Sequence, residues 1–519
     1  MDGRQPTANL SRILDWARYR FADREALVYD DTTWTFWELD VDVNALAAGL
    51  REHGVGQGDR VAIYALNSPE YLLLALAIAK LGAVMIPLNY RLHEEELAYL
   101  LDHAQATTFA SEPDLAEVAA SLAARLPRIG LRLSLTPGMP DGWVGVNELI
   151  EAHRGERVPD AELEDNDLQR VLYTSGTTSR PKGARITHGN CNANMSAQVA
   201  ELELTSADRL LNFAPLYHVG GLDVPGYSVW YAGGTMVVMR RFDPRSILRV
   251  IQEQRITGMA MVATMVHLIR AEPDRDSFDT TSVRWMIFSQ VTPTLYRETR
   301  ETFPNARLVE GYGMTETCNG LTYLDADHME SKLGTAGRPI HGVDIRIVDE
   351  DDNPLPPGEV GEIVIRGPKV CDGYLDDPDA TARAFRNGWF HSGDVGTLDE
   401  DGYLTILDRV KDMIRSGGEN VASSEIEAIV YELSFVHEAA VIAMPDPKWV
   451  EVPAVFVVPN AGVDVDGDAL IAHCRANLGG FKVPKAVYVV DELPRNPSGK
   501  VLKRDLRDAL ETYAPLWRA

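Results

Sequence analysis

Short apolar runs alternate with amphipathic stretches along the first part of the chain. Residues 25–52 predict a strand, a turn at Asp30–Asp31, a second strand and then a helix. A further helix is predicted by "SPEYLLLALAIAKLG", which opens with Ser and Pro and closes with Gly. The runs "DRVAIYAL", "AVMIPL" and "ATTFAS" predict buried strands, and the same alternation recurs over residues 209–263. Strands that alternate with helices indicate βαβ units around a parallel sheet.

The pattern changes after about Leu333. Residues 334–367 contain short alternating strands separated by Asp-Asp, Pro-Pro and Gly, which predicts a β-rich subdomain with hairpins. From "SSEIEAIVYEL" onwards, helical and strand patterns mix again. We therefore expect an α/β fold with a large N-terminal domain of α/β sheets over residues 1–408, including the β-rich subdomain from about 333. A small α+β C-terminal domain is expected over residues 409–519.

Composition and charge limit the classes of function. The chain has 519 residues, of which 45% are hydrophobic and 24% charged, as in globular proteins. Acidic residues outnumber basic ones by 77 to 50, giving a formal net charge of −27, which argues against nucleic acid or an anionic membrane as the main partner. Residues 71–88 are strongly apolar, but Lys80 and Gly82 interrupt them, so we expect a buried helix and strand and no membrane span.

The cysteines and the N-terminus favour a cytoplasmic protein. Cys191, Cys318, Cys371 and Cys474 are widely scattered and show no CxxC or metal-ligand spacing, so we expect reduced thiols. The first twenty residues are charged and amphipathic, unlike a signal peptide.

The stretch from Leu172 to Asn190 concentrates hydroxyl side chains and glycines around Lys182. We expect a loop between two strands, "RVLYTS" and "GARITH". Hydroxyl groups, free backbone N–H groups and one ammonium can together hold phosphate oxygens. The stretch does not follow the Walker pattern, and on its residues alone a polar surface loop explains it equally well.

Further motifs settle this choice. The segment "YTSGTTSRPKG" resembles the phosphate loop of the adenylate-forming superfamily, which includes acyl-CoA synthetases, nonribosomal adenylation domains and luciferases. The resemblance covers nearly the whole chain, because the superfamily's other motifs follow in order. They are "APLYHVGGL", "EGYGMTE", "GRPIHGVDIRIVD", "GEVGEIVIRGPKVCDGYLDDPDAT", "GWFHSGDVG", "DRVKDMIRSGGENVASSEIE" and "LPRNPSGKVLKRDLR". The chain is most similar to the branch of fatty-acid– and aryl-CoA ligases.

The resemblance implies a two-step reaction. A carboxylate first attacks the α-phosphate of ATP, releasing pyrophosphate and forming an acyl-adenylate, and the acyl group then passes to a thiol, usually that of coenzyme A. The implied cofactors are ATP, Mg²⁺ and coenzyme A. The implied small C-terminal domain is mobile and rotates about a hinge at Asp408 between the two steps.

The resemblance also assigns residues to the nucleotide. The phosphate loop consists of Thr174, Ser175, Gly176, Thr177, Thr178 and Lys182. Thr315 is expected to contact the α-phosphate and Glu316 to hold Mg²⁺, while Gly311, Tyr312 and Gly313 line the adenine and acyl pockets. Asp394 is expected to accept hydrogen bonds from both ribose hydroxyls, with Arg409 as a second ribose or phosphate contact.

The remaining assigned residues serve the acid and the thiol. Lys500 is expected to touch the carboxylate and α-phosphate oxygens in the first step. Ser416, Gly417 and Gly418 are expected to line the pantetheine tunnel in the second step. His218 matches a position beside the carboxylate pocket, and the apolar residues after it suggest an apolar acid.

The chain departs from the superfamily at three places. Ser179 replaces a common glycine in the phosphate loop, Ser289–Gln290–Val291 replace a small-residue turn against the adenine, and Val450 replaces another common glycine. Ser179 and Gln290 leave a second possibility, an enzyme that takes a preformed acyl-adenylate and performs mainly the thiol-transfer step.

Three further hypotheses concern different classes of protein. They are a loading enzyme for a carrier protein, a luciferase-like oxygenase and a non-catalytic nucleotide-binding protein. The last predicts loss of Lys182, Glu316, Asp394 or Lys500, and all four are present. The oligomeric state stays open, with a homodimer as one candidate.

Overall fold

The computed structural model describes residues 8–174, 181–289, 291–416, 419–495 and 500–518. The chain divides into two compact units. The first comprises Met1–Ile345, Ile365–Phe390 and Gly402–Leu404, and the second comprises Arg346–Val364, His391–Asp401 and Thr405–Ala519.

Two sheets organise the first part of the chain. In chain order the strands are β1 (Glu25–Tyr29), β2 (Thr32–Thr35), β3 (Arg60–Tyr64), β4 (Val84–Pro87), β5 (Thr108–Ser111), β6 (Leu131–Ser134), β7 (Val144–Gly145), β8 (Leu168–Thr174), β9 (Lys182–Thr187), β10 (Arg209–Asn212), β11 (Thr235–Val238), β12 (Gly258–Ala260), β13 (Trp285–Phe288), β14 (Arg307–Tyr312), β15 (Thr322–Leu324) and β16 (Arg338–Pro339). One sheet has the order β7-β6-β5-β3-β4-β8-β9 and the other β16-β15-β14-β13-β12-β10-β11-β1-β2.

The interiors of both sheets are parallel, as the alternation of strands and helices predicts. Pairs such as β3/β4 and β10/β11 run parallel, whereas antiparallel pairs lie towards the edges, β8/β9 in one sheet and β14/β15, β15/β16 and β1/β2 in the other. The helices between the strands are α1 (Arg12–Phe21), α2 (Phe36–Glu52), α3 (Pro69–Lys80), α4 (Glu94–His103), α5 (Ala116–Arg125), α6 (Val146–Ala152), α7 (His188–Leu202), α8 (Val219–Leu222), α9 (Tyr227–Tyr231), α10 (Pro244–Gln254), α11 (Ala263–Arg270) and α12 (Pro293–Thr302).

Helix α3 shows how the sequence specifies one of these elements. The Ser68 hydroxyl accepts a hydrogen bond from the Tyr71 N–H and Pro69 occupies the first turn, so the helix begins where the sequence predicts. Every residue of the helix is buried except Glu70, and the buried set includes Lys80, whose ammonium lies 2.7 Å from Asp160. Among the described residues, no helix is both long enough and apolar enough to cross a membrane.

The β-rich stretch after Leu333 forms a five-stranded sheet. Its strands are β17 (Asp344–Val348), β18 (Gly361–Arg366), β19 (Phe385–Arg386), β20 (Trp389–Leu398) and β21 (Leu404–Arg409), and helix α13 (Pro378–Ala384) precedes β19. The order is β17-β18-β20-β19, with β21 beside β20. Hairpin turns use residues with positive φ at Asp352, within the predicted Asp-Asp turn, and at Asn387, where no turn is predicted from the sequence.

The rest of the second unit is an α+β layer. Its strands are β22 (Ile414–Ser416), β23 (Glu419–Val421), β24 (Val436–Asp446), β25 (Val450–Pro459), β26 (Ala486–Val489) and β27 (Trp517–Arg518), and its helices are α14 (Ser423–Val430), α15 (Gly467–Asn477) and α16 (Lys503–Asp508). The strand order is β23-β22-β25-β26-β27, with β24 beside β25. Apolar side chains are buried in two clusters, one around Val455 and the other around Phe456, as expected for alternate residues of a covered strand.

Val450 adopts a glycine-like backbone at a place where the sequence departs from the superfamily. Its φ is +71°, a region that β-branched residues rarely adopt, and its side chain is 72% exposed. Val450 opens β25 and pairs with Ser416 of β22, which precedes the glycine loop. The strained backbone therefore lies at the start of a strand and gains little from burial of its side chain.

We predict that V450G stabilises the chain. Removing Cβ relieves the left-handed strain, and after the entropy cost of a glycine the free energy of unfolding should rise by about 1 kcal/mol. Chemical denaturation of V450G, V450A and the parent measures this change. An alanine keeps most of the strain, so V450A should gain less, and equal or lower stability of V450G contradicts the account.

Candidate active site

The predicted phosphate loop closes a hairpin of the first unit. Strands β8 and β9 are antiparallel, and Thr174 pairs with Lys182 across the mouth of the loop. Lys182 is thus the first residue of a strand, which fixes its backbone. Ser175, Gly176, Thr177, Thr178 and Ser179 lie outside the described residues.

The predicted metal ligand lies on a short turn against this hairpin. Glu316 is the middle residue of a 3₁₀ turn, Thr315–Thr317, which contacts β9. The Cys371 N–H donates to the Glu316 carbonyl at 2.7 Å, so the backbone of the turn is anchored from outside. The Tyr374 hydroxyl donates to Glu316 Oε1 at 2.9 Å. Lys182 Nζ lies 5.2 Å from the centre of the Tyr374 ring. The phosphate-loop lysine and the predicted metal ligand are therefore brought together around one tyrosine.

The glycines of the "GYG" motif have internal packing reasons to be glycine. A Cβ on Gly311 would lie 2.7 Å from the Tyr323 ring. A Cβ on Gly313 would lie 2.4 Å from the Gly320 nitrogen, in the turn that follows the motif. These contacts within the protein are sufficient to explain why both positions are glycine, with no bound ligand needed for the explanation. Tyr312, between them, is half-buried at the end of β14.

A second group of predicted residues comes together within the second unit. Asp394 lies in β20 and is 5% exposed, and its Oδ1 is 2.7 Å from Arg409 Nε at the end of β21. Desolvation by the surrounding protein lowers the pKa of Lys500 from its ordinary value, and the like charge of Arg409 lowers it further, whereas the charge of Asp394 opposes this shift. Lys500 is therefore electrostatically linked to the Asp394–Arg409 pair.

The predicted hinge residue is tied to the start of a helix. One carboxylate oxygen of Asp408 accepts from the Ser423 N–H at 2.5 Å and from its hydroxyl at 2.6 Å, where α14 begins. The other oxygen accepts from the Arg409 N–H at 2.7 Å. Ser416, predicted to line the pantetheine tunnel with the two glycines that follow it, is buried at the end of β22. Gly417 and Gly418 lie outside the described residues.

His218 caps the short helix α8. Its Nδ1 accepts a hydrogen bond from the Gly220 N–H at 3.1 Å, and desolvation by the surrounding protein lowers its pKa although part of the ring is exposed. Next to it, a Cβ on Gly220 would meet only ordinary contacts at 3.4 Å and beyond, so there is room on that side. Gly221, by contrast, packs against the Pro215 carbonyl, 2.5 Å from an added Cβ.

Sequence reasoning missed two polar residues of the first unit. Tyr374 stands in the "VCDGYLDD" motif, whose pattern assigns it no role. Lys369 is 1% exposed and donates to Asn194 Oδ1 at 2.8 Å and to the Gly320 carbonyl at 2.6 Å, and burial lowers its pKa to about 8. The motif around them also contains Asp372, Asp376 and Asp377, so neither residue stands out in it, and the partners of both are distant in sequence.

The residues fit a magnesium ion that arrives with a nucleotide. Across the described ranges, no group of three or more His, Cys, Asp or Glu side chains could hold a metal by itself. Mg²⁺ usually takes one or two carboxylates and completes its shell with water and phosphate oxygens, and Glu316 supplies such a carboxylate.

The departure at residues 289–291 is partly explained by packing. Val291 is 5% exposed within the core of the first unit, and its N–H donates to Glu310 Oε2 at 3.1 Å. Its larger side chain therefore fills the interior. Ser289 is exposed, and Gln290 lies outside the described residues.

Comparisons with known proteins identify the family of the chain. The AMP-binding enzyme family matches residues 14–375, and the AMP-binding enzyme C-terminal domain matches residues 425–500. A feruloyl-CoA synthase of Amycolatopsis sp is 41% identical over 93% of this chain and 95% of its own length. A long-chain-fatty-acid–CoA ligase of Mycobacterium tuberculosis is 34% identical over 93% of this chain and 95% of its own.

A solved structure supports the same assignment. The o-succinylbenzoate CoA synthetase of Bacillus subtilis, in complex with its acyl-adenylate intermediate, superposes with a TM-score of 0.84 at 30% identity, over 96% of this chain and 98% of that one. The chain belongs to the AMP-binding enzyme family, and within it to the acyl-CoA synthetase branch. The expected α/β fold with a large N-terminal part and a smaller C-terminal domain is confirmed.

We predict that D394N weakens AMP binding. The amide offers one acceptor where the carboxylate offers two, so roughly 10- to 100-fold of affinity should be lost, the worth of a hydrogen bond to a charged group. Isothermal titration with AMP measures this loss. The matched control is D412N, which also removes a carboxylate beside an arginine, 2.9 Å from Arg507. Equal losses in both variants would contradict a specific role for Asp394.

Proposed function

We propose that this chain is an ATP-dependent acid:CoA ligase whose acid is apolar and aryl-substituted, of the hydroxycinnamate kind. The convergence of Lys182 and Glu316 on Tyr374 carries the proposal, because the residues that we propose to bind phosphate and metal both lie against this side chain. The acid class is supported by the feruloyl-CoA synthase at 41% identity. A Cβ on Gly220, beside His218, would meet no atom closer than 3.4 Å, which supports some space for the acid at that position.

The family assignment determines the chemistry. The enzyme is a ligase that forms carbon–sulfur bonds, with ATP and coenzyme A as co-substrates and an acyl-AMP intermediate. A free carboxylate lacks a good leaving group, and AMP provides one. The acid's carboxylate oxygen attacks the α-phosphorus, pyrophosphate leaves, and the thiol sulfur later displaces AMP from the same carbonyl carbon.

In this mechanism the residues of the first unit bind and orient the triphosphate. The phosphate loop and Lys182 hold its oxygens, and Thr315 contacts the α-phosphate. Glu316 would hold Mg²⁺, which neutralises charge that develops on the leaving pyrophosphate. Tyr312 and its flanking glycines take the adenine, and His218, neutral at pH 7 because its pKa is lowered, lies beside the acid.

The residues of the second unit serve both steps. Asp394 and Arg409 bind the ribose, and Lys500 neutralises the carboxylate and α-phosphate oxygens during adenylation. We place a domain boundary after Asp408 and propose that this residue is the hinge. After rotation of residues 409–519, the loop at Ser416, Gly417 and Gly418 lines the path of the pantetheine arm.

The thiol and the cellular location complete the proposal. Coenzyme A is the thiol named for the relatives, and a holo carrier protein is the alternative acceptor. The cytoplasm suits Cys191, Cys318, Cys371 and Cys474, which are all buried and free.

We predict that a panel of acids separates these possibilities. Pyrophosphate release with ferulate should proceed with a kcat/KM at least about tenfold above that with palmitate, because an apolar pocket discriminates by shape. Adding coenzyme A should then produce feruloyl-CoA in stoichiometric amounts. Thioester formed only on a holo carrier protein would instead support the loading enzyme. Thioester formed from synthetic feruloyl-adenylate, without any pyrophosphate release from ATP, would support the enzyme that takes a preformed adenylate.

We predict that, as pH rises, the adenylation rate begins to decline at a lower pH than it would if Lys500 had the ordinary pKa of a lysine. The pKa of Lys500 is lowered, so its positive charge is lost as pH rises through a value below 10.5. ATP–pyrophosphate exchange measured between pH 7 and 10 should show this decline. The K500R variant stays charged over this range, so its residual activity should lack the decline. An identical alkaline decline in K500R would exclude Lys500 as its source.

A further inference from the structure

Tyr374 contacts two residues of opposite charge, Glu316, which is proposed to bind the metal, and Lys182, which is proposed to bind phosphate. Its hydroxyl donates to Glu316 Oε1 at 2.9 Å, and the ammonium of Lys182 lies 5.2 Å from the centre of its ring. The carboxylate thus receives a neutral donor and the ammonium meets the negative face of an aromatic ring. The Tyr374 side chain is neutral, so neither contact is an ion pair. A metal ion can therefore bind Glu316, and phosphate oxygens can bind Lys182, without breaking an ion pair with Tyr374.

The backbone around Tyr374 holds the ring in place. Residues 372–375 are joined to β9 by three hydrogen bonds, Arg185 N–H to the Gly373 carbonyl at 3.0 Å, Asp372 N–H to the Arg185 carbonyl at 3.1 Å and Leu375 N–H to the Gly183 carbonyl at 2.8 Å. Since β9 begins with Lys182, the tyrosine and the lysine share one rigid support.

Local packing restrains the tyrosine further. Its N–H donates to Thr381 Oγ1 at 3.0 Å, and its ring packs edge-on against Phe385 with the centroids 6.4 Å apart. The preceding Gly373 has a φ of +94°, and a Cβ there would lie 2.6 Å from Thr381. The hydroxyl is therefore presented to Glu316 from a fixed direction.

The Tyr374 hydroxyl donates its hydrogen to one oxygen of the Glu316 carboxylate. A carboxylate that accepts from a fixed donor on one oxygen is restricted in its rotation.

We infer that Tyr374 is a positioning residue for the adenylation step. Its hydroxyl holds the Glu316 carboxylate ready for the magnesium ion of MgATP, and its ring orients Lys182. The inference rests on the proposed roles of Lys182 and Glu316. It assigns separate tasks to the two parts of one side chain, the hydroxyl to the metal ligand and the ring to the phosphate ligand. The thiol-transfer step, which starts from the finished adenylate, does not need either task.

Two substitutions separate the two tasks. Y374F removes the hydroxyl and keeps the ring, so the free Mg²⁺ concentration that half-saturates ATP binding should rise about tenfold, as for loss of a partner of a metal ligand. Its affinity for ATP in EDTA should stay within about twofold of the parent. Y374L removes both groups, so its affinity for ATP should also fall in EDTA. Isothermal titration with ATP at fixed free Mg²⁺ measures each value without any turnover.

The matched control is Y296F. The Tyr296 hydroxyl lies 3.3 Å from Glu330 Oε1 in the same unit, so this variant removes a similar tyrosine–glutamate hydrogen bond elsewhere. Its Mg²⁺ dependence should equal that of the parent. E316Q should reproduce the Mg²⁺ effect of Y374F, and the double variant Y374F/E316Q should add little to it, because Tyr374 acts through Glu316.

Each outcome supports or overturns the inference. An unchanged Mg²⁺ dependence in Y374F, or full additivity in the double variant, overturns it. An equal rise in Y296F of the free Mg²⁺ concentration that half-saturates ATP binding overturns it as well. If the parent itself binds no MgATP, the proposed function fails as well. If the parent binds MgATP and only the Tyr374 effects are missing, the proposed function stands and this inference alone is wrong.

Discussion

The first half-reaction requires a cation and a carboxylate that lie close together and remain available to a nucleotide and its metal. We propose that Lys182 and Glu316 are these two groups; in this chain Tyr374 donates a hydrogen bond to Glu316 and faces the ammonium of Lys182 with its ring. The surrounding structure supports this contact. The hairpin of β8 and β9 fixes the lysine, the 3₁₀ turn fixes the glutamate, and the hydrogen bonds of residues 372–375 to β9 fix the tyrosine.

The acidic character of the chain makes this local arrangement more important. With a formal net charge of −27, the protein as a whole repels ATP and coenzyme A, so attraction must come from a few placed cations at short range. In the second unit Arg409 lies against the buried Asp394, and the pKa of Lys500 is lowered first by desolvation and then by the like charge of Arg409, while Asp394 opposes the shift. Such a lysine can lose its proton more easily than one in water, which couples its role to pH.

The sequence predicted most of the regular structure and the family, because these depend on local patterns. Helix α3 begins at its Ser-Pro signal, and the positive φ of Val450 explains the glycine that is common there. Long-range contacts were not predictable. Tyr374 and Glu316 are 58 residues apart, and Gly221 is small because of the Pro215 carbonyl, which no pattern in the motif indicates. The roles of the site residues and the boundary after Asp408 stay predictions.

In the proposed reaction, the acid's own oxygen attacks the α-phosphorus of ATP before sulfur reaches the acyl carbon. Turnover of ferulate labelled with ¹⁸O in both carboxylate oxygens, followed by mass spectrometry of the products, tests this most directly. The account predicts one labelled oxygen in each AMP released and none in pyrophosphate. Label found in inorganic phosphate together with ADP, or unlabelled AMP alongside the thioester, would contradict it.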